Sequence, residues 1–106
     1  MRVLLVDDHA LVRAGLRALL ASRAKVEVIA DVGNGPDALA RLALGGVDLL
    51  MTDIAMPGMD GLELIRQVGA RWPDVKVVVL SMHVDRVYVI EAMRLAFADA
   101  RWYVSD

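Results

Sequence analysis

Residues 47–61 read VDLLMTDIAMPGMDG, and the parsing of this stretch decides the fold. Val47, Leu49, Leu50 and Met51 make a brief apolar run that reaches a carboxylate at Asp53, and Pro57, Gly58 and Asp60-Gly61 follow at once as turn signals. A run this short and this abruptly ended reads as a buried strand rather than a helix. It delivers Asp53 to the strand's mouth, where a carboxylate is costly unless something compensates it.

Working outward, similar runs occupy residues 2–6, 26–30, 47–52, 75–80 and, with weaker patterning, 101–104. Helical patterns lie between them. Val12, Leu16, Leu19 and Leu20 repeat at helical spacing while Arg13 and Arg17 fall on another face. Residues 36–43 start on Pro36, which suits a first helical position, and residues 61–71 follow a candidate cap at Asp60. Residues 84–98 form the longest helical pattern, apolar on more than one side. Strand and helix in alternation predict an α/β fold, a flavodoxin-like doubly wound parallel sheet of strand order 2-1-3-4-5, with a weak fifth strand and no fifth helix.

The bulk numbers agree with one domain spanning residues 1–106. Twelve Lys and Arg against fourteen Asp and Glu give a net charge of -2, and no basic run is present, so direct nucleic-acid contact is not expected. The chain has no cysteine, which excludes a disulfide framework or a thiolate metal site and fits a cytoplasmic protein. Apolar runs fall far short of the ~20 residues that a spanning helix needs, so no membrane association is expected. A hydrophobic share of 58% nevertheless demands a sheet buried on both sides or a partner.

Ligands in such folds bind beyond the carboxyl ends of the strands. Asp7, Asp8 and His9 follow the first strand, Asp53 ends the third, and Ser81, Met82 and His83 follow the fourth. A single Asp after a strand is ordinarily a turn or helix cap, and Asp7-Asp8 alone would serve to start the next helix. Three carboxylates converging on one edge are different. At an effective dielectric of about 20, one like-charge pair at ~4 Å costs roughly 4 kcal/mol, so a proton or a cation must enter. A hard divalent cation with oxygen ligands suits the set better than zinc. His9 and His83 read as polar rim, and Met56 and Met59 as loop anchors.

The segments VLLVDDH, DLLMTDIAMPGMDG and VVVLSMH closely resemble the receiver domain of two-component response regulators, in particular those with a LuxR-type helix-turn-helix output domain. The resemblance implies a phosphoryl group accepted on Asp53 from a sensor histidine kinase. It implies Mg²⁺ or Mn²⁺ held by Asp7, Asp8, Asp53 and the carbonyl of Ala55. Ser81 would hydrogen-bond the phosphoryl group, and Tyr103 would be the aromatic switch. A homodimer, and a DNA-binding output domain outside this chain, are the expected associations. The chain would be no enzyme beyond its own phosphorylation and dephosphorylation.

One departure stands out. The family pattern carries a lysine three residues after the aromatic, and Asp106 holds that spacing here, with residues 96–98 as an apparent insertion and Trp102 in place of a small residue. The alternative implied is a pseudo-receiver, an interaction module with impaired phospho-switching. A phosphatase of the haloacid dehalogenase type fits less well, because it places nucleophile and acid in one Asp-x-Asp loop after the first strand.

Overall fold

A computed structural model describes residues 1–53, 56, 58–80 and 102–105, with backbone alone at Leu80 and residues 102–105. The order is β1 (Arg2–Val6), α1 (Ala10–Ala21), β2 (Glu27–Val32), α2 (Gly35–Ala43), β3 (Leu49–Asp53), α3 (Gly61–Arg71), β4 (Lys76–Leu80) and β5 (Trp102–Ser105). All neighbours pair in parallel, in the order β2-β1-β3-β4-β5, as the sequence predicts. The helical pattern at 84–98 lies outside the described residues.

Brief β-branched and leucine-rich runs form the strands, and along the central ones consecutive residues, Val3–Val6 of β1 and Val77–Val79 of β4, are buried on both faces. Right-handed crossovers place α1, which leads outward from β1 to β2, on one face, and α2 and α3 on the other. On the latter face Leu4, Val6, Leu50, Val77 and Val79 pack with Ala38 and Leu42 of α2 and with Leu64, Ile65 and Val68 of α3. Met56 joins this core and Met59 packs at its edge, which bears out the reading of both as anchors. Gly58, between them, has φ +75, a turn conformation that favours glycine.

The structure corrects several boundaries. β2 begins one residue late, because the Val26 N–H turns back to the Arg23 carbonyl, and runs on to Val32, which pairs with Val6. Asp31 thereby falls inside the sheet. β3 starts at Leu49, since Asp48 is spent on Arg2: the Asp48 carboxylate accepts from the Arg2 N–H at 2.8 Å. Asp53 is the last residue of that strand, paired with Leu80. α2 starts at Gly35, where the Asn34 side chain accepts from the Asp37 N–H. β5 lies one residue later than expected.

The stripe of α1 departs from expectation too. No residue of the helix is buried, and Leu19 is 62% and Leu11 86% exposed. α1 is the single described helix on its face, and Arg13 and Arg17 tie it to the sheet through Asp31 of β2.

Candidate functional site

β1 and β3 are adjacent, with Val6 opposite Thr52, so the residues that follow Val6 and Thr52 reach one edge of the sheet together. Thr52 is buried and its hydroxyl donates to the Asp53 carbonyl at 2.9 Å, which secures the strand end that carries the carboxylate. One ligand atom from each of Asp7, Asp8, His9 and Asp53 lies within 4.8 Å of all the others. The convergence expected of Asp7, Asp8 and Asp53 is therefore present. Ala55 and Ser81 lie outside the described residues, as does the side chain of Tyr103.

The turn after β1 explains how two adjacent acids reach the same place. Asp7 is buried, and its Oδ1 accepts from the His9 N–H at 2.8 Å and from His9 Nδ1 at 3.1 Å. His9, not an acid, occupies the cap position of α1; it makes no side-chain cap bond, and the first turn has no acidic residue. Starting the helix is thus not what Asp7 and Asp8 do, although Asp7 does brace the turn. Asp8 Oδ1 is shielded from solvent and has no hydrogen-bond partner among the described residues, although His9 Nδ1 stands 3.1 Å away.

The imidazole of His9 reports the field of this edge. Its hydrogen bond with Asp7 raises its pKa above the ordinary value, helped by the charges of Asp8, Asp7 and Asp53 and opposed by partial desolvation. The ring is 65% exposed, so it stands at the rim, as its reading from sequence had it, yet it touches both acids.

Three carboxylates, one with a shielded oxygen that has no hydrogen bond among the described residues, fit a hard divalent cation such as Mg²⁺ or Mn²⁺. Behind them lies a feature to which the sequence reading assigned no role. Arg13 Nη1 donates to the Asp7 carbonyl at 2.6 Å, and its Nε donates to Asp31 Oδ1 at 3.0 Å. The available signal was Arg13 and Arg17 four apart on one helix, with an acid at the end of the strand that follows.

Comparison with known proteins gives a consistent picture. The family model described as the response regulator receiver domain matches residues 3–100. The response regulator UvrY of Escherichia coli K12 is 36% identical over 105 residues, covering 99% of this chain and 47% of its own length. The signal receiver domain of the response regulator NarL from Mycobacterium tuberculosis superposes with a TM-score of 0.86 at 28% identity, over 97% of this chain and 81% of that one. RcsB, solved as two dimers bound to two parallel DNAs, superposes with a TM-score of 0.83 at 28% identity, over 90% of this chain and 49% of that one. The chain spans about half the length of the curated relatives it matches.

Proposed function

The chain belongs to the response regulator receiver domain family, and from that premise we propose that it accepts a phosphoryl group on Asp53 from the phosphohistidine of a sensor histidine kinase. The observation that carries this reading is the meeting of Asp7, Asp8 and Asp53 at one sheet edge. Response regulators in general are signalling proteins rather than enzymes, and the only bond made here would be to the chain itself.

Asp8 and Asp53 would hold the cation directly, with the Ala55 carbonyl as a further oxygen and Asp7 acting directly or through a water. Bound Mg²⁺ or Mn²⁺ supplies the positive charge that lets three carboxylates and an anionic phosphoryl group share one site. A carboxylate oxygen of Asp53 attacks phosphorus as the P–N bond to the donor imidazole breaks; the electron pair stays on that nitrogen, which then takes up a proton. β3 holds the nucleophile rigidly, and the Thr52 hydroxyl fixes the adjoining peptide. Ser81 then donates to a phosphoryl oxygen, and Tyr103 changes rotamer as its loop moves. Residues 1–106 act as one receiver unit in the cytoplasm, as a homodimer, controlling transcription through a DNA-binding output domain. The dimeric, DNA-bound state of RcsB supports that assignment by analogy.

Acetyl phosphate with Mg²⁺ tests the reading. The expected result is one phosphoryl adduct by intact mass, absent with chelator and absent in Asp53→Asn; labelling that survives Asp53→Asn overturns it. Asp106, at the spacing where the family pattern has lysine, favours a second reading, an interaction module whose phosphorylation switches little.

A further inference from the structure

The backbone of Asp7 is gripped from two sides. Its N–H donates to the Val32 carbonyl of β2 at 3.1 Å, and its own carbonyl accepts from Arg13 Nη1 of α1 at 2.6 Å. Arg13 is in turn oriented by Asp31 Oδ1 through Nε at 3.0 Å, and the other oxygen of Asp31 takes Arg17 Nη1. Space is reserved for the fork: a Cβ at Gly33 would stand 3.1 Å from Arg13 Nη1 and 3.8 Å from the Asp7 carbonyl oxygen.

We propose that Arg13 is a positioning residue of the cation site, holding the Asp7 carbonyl so that the carboxylates of Asp7 and Asp8 face Asp53, with Asp31 as its anchor. This rests on reading the acidic cluster as a cation site. The planar guanidinium can serve carbonyl and carboxylate at once, which a lysine ammonium on a flexible stem does less well. Only 20% of the Arg13 side chain is exposed, so it has few other rotamers to adopt. Asp31 also offsets the positive charge, so the clamp does not act as a competing cation beside the site. Outer groups that orient ligands in this way set affinity without touching the metal.

Arg17 provides the internal control, because it shares Asp31 but does not touch the Asp7 carbonyl. Mn²⁺ is the probe, its free fraction read by electron paramagnetic resonance on the full chain, with urea midpoints in chelator measured alongside. Wild type should bind and Asp8→Asn should not; absent binding in wild type, or unchanged binding in Asp8→Asn, removes the cation site and this inference with it. With those controls met, Arg13→Met should bind about tenfold more weakly while folded, Arg13→Lys should recover part of the loss, and Arg17→Met should stay within about twofold of wild type despite a lowered midpoint. Should Arg13→Met fail to fold by circular dichroism, Asp31→Asn, which leaves the guanidinium present but unanchored, should bind severalfold more weakly. Wild-type affinity in the folded Arg13 variant, or in Asp31→Asn where that stands in for it, or equal losses for Arg13→Met and Arg17→Met, overturns the positioning role and leaves the cation site standing.

Discussion

At the scale of single residues, the site is held under tension by its own charges. Asp8 is only 25% exposed, with one shielded oxygen that has no hydrogen bond among the described residues and lies 3.1 Å from His9 Nδ1, beside Asp7 and Asp53. Like charges at ~4 Å repel by up to about 4 kcal/mol at a dielectric near 20, and partial exposure cuts this to ~1 kcal/mol. Asp8→Asn should therefore stabilise the metal-free protein by roughly 1 kcal/mol in urea while abolishing stabilisation by added Mg²⁺; a lower midpoint in chelator would contradict the repulsion. His9 offers a second reading of the same field. Its pKa is raised in the folded chain, so the stabilisation that protonation lends is fully present below about 6.5 and is lost as pH rises through the higher folded value. In a proton NMR titration with chelator, His9 should titrate above an ordinary imidazole, and Asp7→Asn should bring it down because the largest contribution is the hydrogen bond to Asp7. An unmoved His9 in Asp7→Asn would refute that cause.

Elements are set by caps and close contacts as much as by apolar pattern. Asp60 Oδ1 accepts from the Glu63 N–H at 3.0 Å at the start of α3, and hydrogen bonds from Arg66 and then Gln67 hold Glu63 down to about 2. Asp60→Ala should cost ~1 kcal/mol of stability by losing that cap. Met59, just before that cap, is pinned differently. A Cβ at Gly35, the first residue of α2, would stand 2.6 Å from Met59 Sδ, 2.9 Å from its Cγ and 3.0 Å from its Cβ. Gly35→Ala should thus destabilise by about 1–3 kcal/mol, and a Met59→Ala background should absorb most of the loss; additive effects in the double variant would deny the contact. The Asp60 cap was legible, since Asp before a helical pattern has a local signature. The Gly35 contact was not, because two residues far apart in sequence carry no pattern between them. The same division runs through the site. Asp7, Asp8 and Asp53 were legible from strand ends and topology, whereas Arg13 gripping a backbone carbonyl has no side-chain motif to betray it. The starts of β2 and β3 moved because Val26 and Asp48, apolar and polar alike, were spent in turns and across the sheet edge.

Across the whole molecule, the proposed phosphorylation of Asp53 would have to be felt two strands away to switch β5. Asp53 pairs with Leu80 on β4, and Leu80 pairs with Ser105 on β5. Parallel strands stand ~4.8 Å apart, which puts the end of β5 about 10 Å from Asp53. Phosphorylation would replace the -1 of the Asp53 carboxylate by roughly -1.5 to -2 on the phosphoryl group, a net gain of at most about one negative charge, and one unit charge at about 10 Å feels each unit of it by ~0.4 kcal/mol in water and ~1.7 kcal/mol at a dielectric near 20. On the proposed phosphorylation of Asp53, a lysine after Ser105 would turn that field into attraction and draw β5 toward the site, and an aspartate at the same point in the sequence, as Asp106 is, would turn it into repulsion of similar size. On that proposal the charge of one residue would decide the sign of the long-range coupling, while the chemistry at Asp53 would stay local. Beryllofluoride with Mg²⁺ should accordingly change the fluorescence of Trp102 on β5 only slightly in the wild-type chain and several times more in Asp106→Lys, with similar acetyl phosphate labelling of both. A full response in the wild type, unaltered by Asp106→Lys, would mean that β5 senses the phosphoryl group without a cation at that position.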